Sequence, residues 1–432
     1  MQANKREMKK LFLYTLLLMP LLLCQCGKQG GDGGGEEPEE PEPTPVATVP
    51  AITGSFIQHW YVAGWGSTQW DTEMAVLKEA GIEYLIFTPV KDREATAPDY
   101  PALEKCLAAA EKKGIRVFVG PNADDRWWNS GISGETLNAL QEEGLAVAAE
   151  IYSRYHDRYP TALYGWYWDW EVDNATWNRR QDLLVGAWNI TLDGLSELDG
   201  SMPLLFSPFM NPEQGAPAAY RDFWKAVFPK LHLRKGDIFA PQDSIGATGM
   251  SLSAVKAWFS MLADAAKTVD GLQFWANAET FEQFNVHGES RFVTSSLARI
   301  VGQLKAEAPF VDRIICFAYS HYLSPVLVRE DYHKAYRDYV KTGQLPEIGK
   351  TGRVNSAVRE TGTGVALNWS IATKTDVDGF AIYKNGALLI KLQIREGNVP
   401  GYFFDYDGKA ADIYEIATYN ILGVESPKVT FQ

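Results

Sequence analysis

The sequence predicts an α/β fold: a (β/α)8 TIM barrel followed by a small all-β sandwich. Three observations carry that expectation. From residue 54, short apolar runs rich in β-formers alternate eight times with amphipathic stretches of helical period, within about 290 residues. No GxGxxG follows the first run and no GxxxxGK[ST] occurs, which removes the nucleotide-binding doubly wound folds. After Thr342-Gly343 the helical period stops, and alternating runs such as VALNWSI, GFAIYKN and YEIATYN are separated by Gly, Asp and Asn.

The expected barrel strands are 55–59, 83–88, 116–120, 164–171, 204–208, 237–242, 273–279 and 313–320. The expected helices are 72–80, 100–113, 135–158, 177–198, 219–228, 252–268, 290–307 and 330–341. Gly81, Gly114 and Gly271, each just past a helix, fit C-caps. The barrel is thus expected over residues 51–345 and the sandwich, fibronectin type III-like, over 350–432.

The chain begins differently. Lys5, Arg6, Lys9 and Lys10 precede an apolar run of about 13 residues, too short to span a bilayer comfortably, so residues 1–26 read as a secretory signal. The run enters Cys24-Gln25-Cys26 and there resembles a bacterial lipobox, which implies acylation of Cys24 or Cys26; an ordinary cleaved signal is the alternative. Residues 27–50, Gly-rich and then Glu/Pro-rich, form an extended tether. The protein is therefore expected to be lipid-anchored in the cell envelope, at the periplasmic or surface face of the outer membrane, and to meet a membrane only through that anchor.

The net charge is −13; with +3 in the signal and −5 in the tether, the globular part carries the remaining −11. Such a surface repels phosphate backbones, so nucleic acid is not an expected partner. Four cysteines in 432 residues cannot build a disulfide framework, and Cys106 and Cys316 read as buried, inert thiols.

In a barrel, function gathers where strands end. Period-two alternation turns Gln273, Trp275, Asn277 and Glu279 into the barrel and Phe274, Ala276 and Ala278 toward the helices. The same rule applied to YWDWE turns Tyr167, Asp169 and Glu171 inward and Trp166, Trp168 and Trp170 outward. Two glutamates, Glu171 and Glu279, then close the fourth and seventh strands in one mouth, and glycoside hydrolysis requires such a carboxyl pair. The acid/base is expected to hold its proton more tightly than usual and the nucleophile to stay ionised. Around them, Asp169, Asp243, Gln242, Asn277, Asn122, His59 and His321 are candidate contacts to sugar hydroxyls. Trp60, Trp127, Trp128 and Trp275 are candidate flat platforms for sugar rings. Nothing in the pattern calls for a cofactor, and no Cys/His cluster has zinc spacing.

The placement resembles clan A glycoside hydrolases, and that resemblance implies Glu171 as acid/base, Glu279 as nucleophile, and retention of configuration. Clan A enzymes usually carry Asn before the acid/base; here the residue is Trp170. A second resemblance covers roughly 51–345. The segments GSFIQHW, GWYWDWEVDN, LLFSPFMNP, APQDSIG and WANAETF are similar to an uncharacterised TIM-barrel family of Bacteroidetes lipoproteins, held to be glycoside hydrolases. It implies an oligo- or polysaccharide partner and leaves the sugar, the anomer and the oligomeric state open. The rival reading is a non-catalytic lipoprotein that captures sugars in the barrel mouth.

Overall fold

The computed structural model describes residues 49–93, 95–349, 351–371, 376–395 and 398–432. The expected signal, the candidate lipidation sites Cys24 and Cys26, and nearly all of the tether lie outside the described residues. Among the described residues no helix is long and apolar enough to cross a membrane.

Strand β1 (Gly54–Gln58) leads into the short α1 (His59–Val62) and then α2 (Ser67–Glu79). Next come β2 (Tyr84–Thr88), α3 (Tyr100–Lys113), β3 (Arg116–Val119), α4 (Gly134–Tyr155), β4 (Leu163–Trp168) and α5 (Gln181–Asp199). They are followed by β5 (Leu204–Phe206), α6 (Pro217–Val227), β6 (Ile238–Phe239), α7 (Ile245–Thr248), α8 (Leu252–Ala266) and β7 (Gln273–Glu279). A hairpin, β8 (Phe281–Val286) and β9 (Glu289–Thr294), interrupts the pattern before α9 (Leu297–Glu307), β10 (Arg313–Phe317), α10 (Tyr319–Tyr322) and α11 (Glu330–Thr342). The eight parallel strands close in the order β1-β10-β7-β6-β5-β4-β3-β2.

Local chemistry sets the boundaries. Asp99 caps α3 by accepting the Ala102 amide at 3.1 Å, Pro101 lies in the first turn, and Gly114 ends the helix at φ 64°. Residues 290–294, expected as the start of a helix, are strand β9 instead. His287 and Gly288, at φ 55° and 72°, form the tight turn that pairs β9 with β8, and α9 starts only after the Ser296 cap.

Two apolar layers follow from the alternation. Trp166, Trp168, Trp170, Phe274, Ala276 and Ala278 pack among the helices, while Phe56, Tyr84, Phe118, Tyr167, Trp275 and Ile315 fill the barrel. Trp275, expected at the mouth as a sugar platform, is instead a plug in the N-terminal half of the barrel. It lies opposite Arg313, is 1% exposed, and has its ring 5.1 Å from that of Tyr84. The reason is register: Trp275 points inward as expected but sits two inward positions below Glu279. Trp275→Ala is expected to cost about 3–5 kcal/mol of stability, read from denaturant unfolding; an unchanged midpoint would contradict this placement.

The C-terminal sheets, β11 (Val354–Thr361), β12 (Val365–Ile371) and β15 (Tyr402–Asp405) facing β14 (Ala387–Gln393), β13 (Gly379–Lys384), β16 (Tyr414–Tyr419) and β17 (Val429–Thr430), form a small sandwich. Its core, including Leu367, Trp369, Phe380 and Ile416, also takes in Val286 from the β8–β9 hairpin. Lys391 meets Glu282 at 2.7 Å, and His287 Nε2 meets Asp405 Oδ1 at 2.8 Å. His287, Asp405 and Asp407 present ligand atoms within 4.8 Å of one another, but Lys384 Nζ, 2.8 Å from Asp405 Oδ2, already supplies a positive charge there. The cluster therefore reads as an interdomain clasp. The hairpin that begins two residues after Glu279 is thus bonded to the sandwich.

Candidate active site

On one side of the mouth, the chain leaves β4 at Trp168 and runs Asp169-Trp170-Glu171 across the barrel top. Trp170 is buried in the helix layer, its ring 5.5 Å from that of Trp127, which in turn stacks on Trp177 at 4.8 Å. Trp127 Nε1 donates to the Glu171 carbonyl at 2.8 Å. This aromatic stack fixes the main chain carrying Glu171. The Glu171 carboxylate Oε1 accepts from Gln242 Nε2 at 2.9 Å, and the same amide reaches the Ser207 carbonyl at 3.0 Å. Desolvation pushes the Glu171 pKa up to about 7, against the opposing effects of the Gln242 bond and the Arg93 charge.

Asp169 accepts a hydrogen bond from Thr88 Oγ1, while its Oδ2 is buried with no partner among the described residues. Burial raises it to about 8, opposed by Thr88 and Arg93 and reinforced by Glu171. Gly120 makes room for this pair: a Cβ there would lie 2.4 Å from Thr88 Oγ1 and 2.6 Å from Asp169 Oδ2.

On the other side, Asn277 and Glu279 rise along β7 on its inward face. Asn277 Nδ2 donates to Ser207 Oγ at 2.9 Å, and its Oδ1 is buried and unpartnered among the described residues. Gln242 bridges to Asn277 through the backbone, so a polar path of Gln242, Ser207 and Asn277 links the Glu171 side of the mouth to β7. Glu279, 3% exposed, accepts the Ala247 amide on Oε2 at 2.7 Å, and its carbonyl takes Arg299 and Gln303 at 3.0 Å each. Its pKa is also raised, by burial first and by Asp243 second, while the amides of Ala247 and Gly246 and the Arg299 charge oppose the rise. The expectation that only one of the two glutamates would hold its proton unusually tightly is therefore corrected. The cause is the depth of Glu279 and the acidic neighbour behind it.

Four expected contacts turn away from the mouth. Asn122 Oδ1 lies against Gly144 of α4, where a Cβ would meet it at 2.5 Å, so Asn122 faces the helix layer. Asp243 is fully buried, accepting from the amides of Ile245 and Glu279 and from Gln303. Trp127 is 3% exposed and serves as the support described above, and Trp275 is core. Of the remaining aromatics, Trp60 is partly buried and Trp128 is 39% exposed. His59 is bonded to Asp99 at 2.8 Å.

His321 accepts the Gln58 amide on Nε2 at 3.1 Å, and burial lowers its pKa to about 3. It is therefore neutral with its proton on Nδ1, a donor that is buried and unpartnered among the described residues. Tyr61, 44% exposed, covers it at a ring distance of 4.4 Å.

Sequence reasoning missed Arg93, Arg299, Gln303 and Glu307, and put Ser207 at a strand end without giving it a role. A signal existed for two of these: Gln303 and Glu307 are polar residues four apart, falling on the stripe of α9 that Ile300 and Leu304 bury.

Residues 52–328 match the family described as Domain of unknown function (DUF4434). The chain belongs to that family. Both candidate glutamates, and the polar path between their strands, lie inside the DUF4434 region. No curated protein matches the chain in sequence. Among solved structures, it is similar to a "putative alpha-L-fucosidase" from Bacteroides thetaiotaomicron VPI-5482, at 21% identity and a TM-score of 0.57, over 70% of this chain and 99% of that one. It also matches a hyperthermostable endo-1,4-beta-D-mannanase from Thermotoga petrophila RKU-1, at 14% identity and a TM-score of 0.47, over 67% of this chain and 99% of that one. What the first shares with this DUF4434 protein is the barrel fold.

Proposed function

We propose that the protein is a glycoside hydrolase that cleaves a glycosidic bond with retention, using Glu171 as acid/base and Glu279 as nucleophile. The observation that carries the reading is the pair of desolvated carboxyls, Glu171 three residues past β4 and Glu279 at the end of β7, with the polar path of Gln242, Ser207 and Asn277 between their strands. Such perturbed carboxyls are costly unless they are used. The barrel shared with the Bacteroides thetaiotaomicron protein supports it at the level of fold, since that protein is named for a glycosidase.

In this reading Glu171 gives its proton to the leaving oxygen while the bond from that oxygen to the anomeric carbon breaks. Glu279 forms a bond to the same carbon; Oε2 is engaged by the Ala247 amide, so we assign the attack to Oε1. Glu171, now a carboxylate, takes a proton from water, whose oxygen displaces Glu279 and regenerates both groups. Retention requires carboxyl groups about 5–5.5 Å apart, against about 6.5–9.5 Å for inversion. Asp169, Asn277 and His321 offer polar atoms, unpartnered among the described residues, for sugar hydroxyls. Anchoring in the cell envelope through Cys24 or Cys26 remains part of the proposal.

The test is a hydrolysis screen over aryl glycosides and plant and host glycans. Turnover by the wild-type protein, lost in the Glu171 and Glu279 variants, supports the reading. Sugar binding without turnover would leave the capture function instead.

The pH profile has a worked sign. Glu171 must be protonated to act as an acid and Glu279 ionised to attack, and burial raises both, so kcat/KM should be bell-shaped with its alkaline limb above neutrality. Gln242 favours the ionised form by donating to it; Gln242→Leu should move that alkaline limb to higher pH. A limb that stays put would show that another group titrates there.

A further inference from the structure

Behind the mouth, Asp243, Gln303 and Glu307 form a buried acidic knot that the proposed reaction does not use. Asp243 Oδ1 accepts the Ile245 amide at 3.1 Å and the Glu279 amide at 3.2 Å, and Oδ2 accepts the Gln303 side-chain amide. The same Gln303 nitrogen donates to the Glu279 carbonyl at 3.0 Å. Three N–H groups donating to it make this the environment of a carboxylate.

Glu307, one turn beyond Gln303 on α9, is fully buried with neither oxygen bonded to a donor among the described residues. Its carboxyl lies within hydrogen-bonding reach of Asp243, and burial followed by the Asp243 charge pushes its pKa far up. Two carboxyls in contact cannot both be acceptors; Glu307 carries the proton and Asp243 the charge.

We propose that Asp243 is the positioning residue for Glu279: it holds the Glu279 main chain through an amide bond and keeps a fixed negative charge, completed by the Glu307 proton, behind the Glu279 carboxyl. The role of Glu279 as nucleophile rests on the function proposed above; the control of its charge by Asp243 does not. The other groups facing Glu279 are Arg299 and Glu307 from α9, Tyr322 from α10, and the Gly246 and Ala247 amides of α7. Of these, the amides and Arg299 favour ionisation, so Asp243 is the group opposing them at closest bonded range. Its consequence is a Glu279 that gains reactivity as a base but loses its proton only at higher pH.

The experiment is a carboxyl NMR titration of the full chain labelled with [5-13C]glutamate, with Glu279 assigned by its absence in Glu279→Gln. In Asp243→Asn the Glu279 midpoint should fall by about one pH unit or more, a tenfold change in proton affinity. In Glu307→Gln, which still offers Asp243 a donor, the midpoint should stay at the wild-type value. An unchanged midpoint in folded Asp243→Asn would overturn the proposal. A fall in Glu307→Gln would overturn it too, even if Asp243→Asn does not fold, because the charge would then reside on Glu307. If the midpoints move as expected but the wild type hydrolyses nothing, the enzymatic reading fails and this inference stands. If it does hydrolyse, the acid limb of kcat/KM should move down with the midpoint.

Discussion

Glu279→Gln should lower kcat by roughly 10⁴-fold or more, the scale on which removal of a member of an interdependent catalytic set is felt, while sugar affinity stays within a few-fold. The amide keeps the size of the carboxyl and can still accept the Ala247 N–H that Oε2 takes at 2.7 Å, so the loop carrying α7 has no reason to move. What it lacks is a charged oxygen able to bond to the anomeric carbon. Burial of Glu279 at 3% exposure means that solvent cannot substitute for it in that position. Calorimetric binding and turnover on one substrate separate the outcomes: lost affinity with little change in turnover would mark Glu279 as a binding group.

Glu171→Gln should lower kcat by roughly 10²–10⁴-fold, the usual worth of a positioned acid or base. The loss should be smallest for substrates whose leaving group departs without a proton, such as dinitrophenyl glycosides, because the first step then no longer needs the acid. The alkaline limb should vanish in the variant, since it reports the Glu171 proton, which desolvation holds against Gln242 and Arg93. An equal loss on all leaving groups, with the pH profile intact, would move the acid role elsewhere. Asp169, raised to about 8 and hydrogen-bonded to Thr88, is then the next carboxyl to substitute.

The barrel was legible because each strand is short, apolar and bounded by polar loops, and because the inward–outward alternation of YWDWE and QFWANAE is a property of the strand itself. It placed Tyr167 and Trp275 inside the barrel and Trp166, Trp168 and Phe274 outside it, as the two apolar layers have them. The level at which the barrel closes was not legible. The alternation that turns Trp275 inward also sets it two inward steps below Glu279, but it does not show that Tyr84 and Phe118 close over the barrel at that level and make Trp275 core rather than platform. Beyond the last strand pair the rule still fits Trp170, which packs among the helices, but gives no direction for Asp243. Asp243 follows β6, paired over only two residues, and its side chain is set by partners on α9, sixty positions away, that no local pattern connects to it. The β8–β9 hairpin was missed for a related reason: the expected helix began at Ser290, and what decides for the turn is the docking of Val286 into a second domain.

The claim on which the account turns is that Glu279 attacks the sugar, and covalent trapping tests it most directly. The protein is incubated with a 2-deoxy-2-fluoro glycoside of whichever sugar it cleaves, digested, and its peptides are sequenced by mass spectrometry. The account predicts one added glycosyl group, on Glu279 within the tryptic peptide of residues 268–291, and none in Glu279→Gln. A label on any other residue, or time-dependent inactivation of Glu279→Gln equal to that of the wild type, would contradict it.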